Sequence, residues 1–215
     1  MIRNKLITAG VIAFFAHPAT AQTIQIAAFG DSLTAGYGVL PEESFPAQLQ
    51  TWLQGKGVDA EVLNAGVSGE TTAGGLARID WTLTDEIDAV IVELGANDLL
   101  RGLPPEAARD NLDGIMSAIA ARDLPALLAG MPAPQNYGAE YKQAFDAIYV
   151  DLAAEYDAIY YRNFLQGIGE AGDLAAIGTF MQSDGLHPNK AGVARVVDHI
   201  GPYVLELIDK VTASE

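Results

Sequence analysis

Short apolar runs alternate with amphipathic stretches along most of the chain. Ile24 to Phe29 (Ile-Gln-Ile-Ala-Ala-Phe) reads as a buried strand halted by Gly30. Ser44 then stands where it can cap a helix carrying Phe45, Leu49, Trp52 and Leu53 on one face. Pro46 is tolerated in the first turn of that helix, and Gly55 and Gly57 end it. Residues 60–65 and 89–94 predict two further strands, the second apolar enough to be central. Beyond Pro104-Pro105 the spacing of Ala108, Leu112, Ile115, Met116 and Ile119 predicts a helix, and 126–129 a fourth strand. Tyr141, Phe145, Ile148, Tyr149 and Leu152 mark another helix, and 158–161 a short fifth strand. The last helix begins near Lys190 with Val193, Val196, Val197 and Ile200 inward, and Gly201-Pro202 is expected to kink or split it.

Strands separated by helices of this length make βαβ units, hence a parallel sheet covered on both faces. The expectation is one three-layer α/β domain over residues 22–215. In such sheets ligands bind beyond the carboxyl ends of the strands, so chemistry is sought in the post-strand loops.

The N-terminus breaks the pattern. Arg3 and Lys5 precede a ten-residue apolar run, Leu6 to Phe15, and Ala19-Thr20-Ala21 follows. This is the layout of a cleavable signal peptide over residues 1–21, and the run is too short to span a bilayer. No cysteine follows to carry a lipid anchor. Cleavage before Gln22 would remove two basic residues, moving the formal charge from −16 to −18. The expected location is the periplasm or outside the cell, with no stable membrane anchor.

With no cysteine, the chain has no disulfide, thiol nucleophile or thiolate metal site. Its acidity disfavours nucleic acid and anionic lipid as partners. Half of its residues are apolar and 19% are charged, a balance unlike that of a disordered chain. A monomer acting on a small molecule is expected.

Four post-strand segments carry candidate chemistry. Gly30-Asp31-Ser32-Leu33 follows the first strand, and alone it fits either a helix cap or a serine projected from a sharp turn. It is neither a P-loop nor a G-x-S-x-G elbow, because Thr34 holds the last glycine position. Gly66-Val67-Ser68-Gly69-Glu70-Thr71 follows the second strand. Gly69 there can aim its N–H at an oxyanion, and Ser68 is a second possible nucleophile. Gly95-Ala96-Asn97-Asp98 follows the third, where Asn97 serves as a turn residue or an amide donor. Asp184-Gly185-Leu186-His187-Pro188-Asn189 lies near the C-terminus. After cleavage only His187 and His199 remain; His187 sits in a loop three residues after an Asp, while His199 lies in a helix pattern and reads as structural. Two histidines and no cysteine make a zinc site improbable, and carboxylate-only metal binding stays open.

Together these segments resemble the GDSL, or SGNH, hydrolases, in particular their periplasmic thioesterase/lysophospholipase and arylesterase branch. Leu100-Arg101-Gly102 and Pro134-Gln135-Asn136-Tyr137-Gly138 extend the likeness. The resemblance implies a flavodoxin-like sheet of five parallel strands, catalysis by Ser32, Asp184 and His187, and an oxyanion hole from the Ser32 and Gly69 N–H groups and the Asn97 side chain. It implies no metal and no cofactor. Thr34 and Ala96 depart from a frequent Ser and Gly, at positions that perform no chemistry. Leu99, Leu100, Leu103, Pro104, Met131, Pro132 and Pro134 suggest an apolar rim, with Leu99, Leu100, Leu103 and Pro134 as the substrate-binding candidates. The expected activity is hydrolysis of acyl or aryl esters, and of thioesters. The alternatives are an O-acetyl esterase acting on carbohydrate or peptidoglycan, and a non-catalytic binding module such as a flavin carrier.

Overall fold

A computed structural model describes residues 23–169 and 174–213; residues 1–21, where a signal peptide is expected, and Gln22 lie outside the described residues. In chain order the elements are β1 (Ile24–Gly30), α1 (Ser32–Ala35), α2 (Phe45–Gly55), β2 (Ala60–Gly66), α3 (Thr72–Thr82) and β3 (Ala89–Glu93). They continue with α4 (Ala96–Leu100), α5 (Pro105–Ala120), β4 (Ala126–Ala129), α6 (Ala139–Glu155), β5 (Ile159–Tyr161), α7 (Leu174–Phe180) and α8 (Lys190–Ala213). The strands form one parallel sheet in the order β2-β1-β3-β4-β5.

The continuous apolar runs of β1 and β3 follow from burial on both faces. Ile26, Ala28, Ala89 and Ile91 point into a core shared with α2 and α8. Ala27, Phe29, Val90 and Val92 point into a second core built with α3, α5 and α6. The chain leaves β1 for β2 on one side and returns to β3 on the other. The carboxyl ends of β1 and β3, Gly30 opposite Glu93, therefore flank the point where strand order reverses. That switch point is where an open parallel sheet leaves a crevice.

Three local readings need correction. Ser44 precedes α2 as expected, but its hydroxyl donates to the Pro41 carbonyl at 2.7 Å and caps nothing. α8 runs unbroken through Pro202. Its buried face continues from Val196 and Ile200 to Val204 and Leu207, and that packing outweighs the one backbone bond proline removes. α3 was not foreseen. Gly74 and Gly75 depress helix propensity, yet Thr71 caps the helix and Ile79 anchors it in the core.

Candidate active site

Ser32 is the first residue of α1, directly beyond β1, with Asp31 as the N-cap accepting the Leu33 N–H at 3.0 Å. Its Oγ lies 2.8 Å from His187 Nε2. On the other side of the ring, Nδ1 lies 2.7 Å from Asp184 Oδ2. The second oxygen, Asp184 Oδ1, accepts the backbone N–H groups of Leu186 and His187 at 2.9 and 3.1 Å. One carboxylate thus folds its own loop and orients the imidazole. These bonds, the one from His187 foremost, hold the Asp184 carboxyl down at about 2. An ionised Asp184 requires the proton on Nδ1, which leaves Nε2 as acceptor for the Ser32 hydroxyl.

The Asn97 amide, on α4, donates to Asp31 Oδ2 at 2.9 Å, which leaves its second N–H available to the cleft. Gly69, with φ of +82°, has no acceptor for its N–H among the described residues, and its carbonyl is held by Arg101 Nη2 at 2.8 Å. Carboxylates brace these loops from behind. Asp98 accepts both the N–H and the hydroxyl of Thr72, at 2.9 and 2.7 Å, tying α4 to the start of α3. Glu93 accepts the Thr34 hydroxyl at 2.8 Å. Glu70 pairs with Arg78, whose guanidinium also reaches the Gly30 carbonyl at 3.2 Å. Burial pushes Asp31 up to about 6 against its bonds to Leu33 and Asn97. Burial, reinforced by the Asp31 charge, raises Glu93 well above the usual carboxylate range, and Glu93 Oε1 has no partner among the described residues. The better-bonded Asp31 is therefore the carboxylate of the pair, with Glu93 neutral.

Beside Ser32 opens a cleft of about 620 Å³. Leu99, Leu100, Pro134 and Met131 line it, as the sequence suggests. Leu103 does not: its carbonyl accepts the Tyr141 hydroxyl outside the cleft. Pro132 also lies outside, on a small adjoining hollow with Lys142 and Arg162. Ser68 lines the cleft, but the imidazole contacts Ser32. His199 is remote from it, exposed on α8, its Nδ1 3.0 Å from the Tyr161 hydroxyl. Several residues of the site escaped sequence reasoning: Tyr37, Leu165, Met181 and Leu186 on the cleft wall, and Glu93 and Asp98 behind it. Met181 lies three residues before Asp184 and Leu186 directly before His187, so both are within reach of adjacency alone.

A serine, an imidazole and a carboxylate in series at the switch point of a parallel sheet define a class of hydrolytic enzymes on a three-layer α/β scaffold. Within that class, the chain belongs to the GDSL-like lipase/acylhydrolase family, whose model matches residues 28–195. It is 37% identical to esterase TesA of Pseudomonas aeruginosa over 88% of this chain and 91% of that one. It is 35% identical to thioesterase 1/protease 1/lysophospholipase L1 of Escherichia coli K12, over 89% and 87%. Among solved structures, the SGNH-hydrolase family esterase AlinE4 aligns with a TM-score of 0.70 at 45% identity, covering 87% of this chain and 98% of that one.

Proposed function

We propose that the protein hydrolyses carboxylic esters, and thioesters, of acyl or aryl substrates, with Ser32 as nucleophile, His187 as general base and acid, and Asp184 as its orienting carboxylate. The observation that carries this reading is the 2.8 Å contact of Ser32 Oγ with an imidazole whose other nitrogen is held by an ionised carboxylate. His187 takes the Ser32 proton as Oγ attacks the acyl carbonyl. The tetrahedral oxyanion is met by the Ser32 and Gly69 N–H groups and the Asn97 amide. The imidazolium, stabilised by Asp184, protonates the departing alcohol or thiol, and water repeats the cycle on the acyl-enzyme. None of these steps calls on a metal or a cofactor.

The wall of Leu99, Leu100, Met131, Pro134 and Leu165 supports an apolar acyl or aryl group in the cleft and disfavours an acetylated glycan. The relatives' names, esterase and lysophospholipase among them, agree with this substrate class. We place the mature domain at residues 22–215, exported by the basic and apolar segment before it; no helix among the described residues is long and apolar enough to cross a membrane.

Rates on aryl and acyl esters from C2 to C16, on acyl thioesters, on lysophospholipid and on acetylated glycan test the reading, with Ser32→Ala as control. Turnover of the acyl and aryl esters that vanishes in Ser32→Ala is expected. Activity confined to acetylated glycan, or retained by Ser32→Ala, would overturn it.

A further inference from the structure

The nucleophile and the base sit 155 residues apart in sequence, one at the start of α1 and the other in the loop before α8. A closed ring of hydrogen bonds joins them. The Tyr37 N–H donates to the Ser32 carbonyl at 3.1 Å. The Tyr37 carbonyl in turn accepts Gln182 Nε2 at 2.7 Å. The Gln182 backbone N–H donates to the His187 carbonyl at 2.7 Å, and His187 Nε2 returns to Ser32 Oγ. Gln182 is the only member of this ring outside the motif segments whose side chain makes a link. Its second amide hydrogen goes to the Pro188 carbonyl at 2.9 Å, so the carboxamide is fixed in orientation with both donors used. Gly38 makes room for it: a Cβ there would stand 2.1 Å from Gln182 Oε1, and its φ of +76° is one that side chains rarely adopt.

The same link places a ring. Tyr37 is 55% exposed, so little packing fixes its side chain, yet its ring centroid lies 4.6 Å from that of His187. Its backbone is gripped on both sides, at N–H by Ser32 and at C=O by Gln182. The two rings are tilted by 39°, a side-by-side contact that limits where the imidazole can stand.

We propose that Gln182 is a positioning residue for the Ser32–His187 pair, its amide holding the Tyr37 carbonyl so that the loops stay in register and Tyr37 covers the imidazole face. The proposal rests on the reading that Ser32 and His187 do the chemistry. Gln182 itself touches no reacting atom in it.

Gln182→Glu keeps the shape but sets a carboxylate oxygen against two carbonyls, and Gln182→Met keeps the length without donors. In both, kcat falls by about 10- to 100-fold, the scale of a small misplacement of reacting groups, while KM stays within about threefold. In ring-labelled protein the carbon-bound imidazole protons of His187 lose the upfield shift that the Tyr37 face imposes. Tyr37→Ala loses the same shift, and Tyr37→Phe, which keeps the ring, restores it. Wild-type kcat in both Gln182 variants overturns the proposal. So does a loss of kcat that merely follows melting temperature while the His187 resonances stay in place. Activity surviving in Ser32→Ala would instead overturn the underlying assignment; an inactive Ser32→Ala beside wild-type Gln182 variants removes Gln182 alone.

Discussion

Asn97 separates a chemical role from a structural one at the scale of a single side chain. Its amide bonds Asp31 in the resting site, so truncation could act through either. Asn97→Ala removes one of three donors to a charge that exists mainly in the transition state, so kcat falls about 10²–10³-fold with little change in KM. Steady-state kinetics and melting temperature measured on the same preparation decide between roles. A stable Asn97→Ala enzyme with wild-type turnover excludes the amide from the mechanism. The two histidines give a second test. His187→Gln loses several orders of magnitude, whereas His199→Gln keeps most of the activity, because the His199 ring contacts Tyr161 and nothing in the cleft. Equal losses at both would move the base assignment. The roles of Ser32 and Asn97 are suggested by short motifs placed after strands, and that of His187 by a loop motif between α7 and α8. Tyr37 and Gln182 are not suggested at all, since their functions arise from a backbone carbonyl and a contact across most of the chain.

At the scale of elements, α8 shows how tertiary packing overrides local preference. Gly201 and Pro202 are neighbours that respond in opposite directions. A Cβ at Gly201 would stand 2.7 Å from the Trp52 ring of α2, so Gly201→Ala destabilises, by about 1–3 kcal/mol. Pro202→Ala restores a backbone donor inside the helix and stabilises, by about 1 kcal/mol after the looser unfolded chain is counted. Urea titration of the two variants reads both signs, and a shared sign contradicts this account. The periodicity of residues 190–200 makes the helix legible. The persistence of the helix past proline is not, because it depends on the buried face that Val204 and Leu207 continue. β1, β3 and β4 were legible for the converse reason: strands buried on both faces are written as unbroken apolar runs. α3 was hidden by its two glycines.

For the molecule as a whole, acidity is distributed with a purpose that net charge conceals. Most of the 28 Asp and Glu residues set the formal charge, while Asp31, Glu93 and Asp98 are buried as struts between the loops. Glu93 titrates in the fold well above its usual 4.5, so the native state holds a proton that the unfolded chain has released. Stability therefore falls as pH rises above about 4.5 through this group. Glu93→Gln, neutral at every pH and still able to accept from Thr34, loses that slope. Relative to wild type it gains stability from pH 5 to pH 8 in denaturant titrations. An unchanged difference between the two pH values would mean Glu93 is ionised in the fold. The parallel sheet covered on both faces, and the post-strand edge where chemistry lies, are readable as a class of architecture. The struts were not, because a carboxylate in a loop motif looks the same whether it faces water or another loop.

The 155-residue separation of Ser32 from His187 has a temporal consequence. A ribosome making about 5–20 residues per second finishes β1 and the serine turn many seconds before it makes the segment bearing the histidine. All five strands precede His187 in the chain, so the sheet can assemble around an inert serine. Catalytic competence is then a property of the finished polypeptide, switched on by its last fifth. Any product truncated ahead of that point would lack both the imidazole and α8, and with α8 one side of the hydrophobic core.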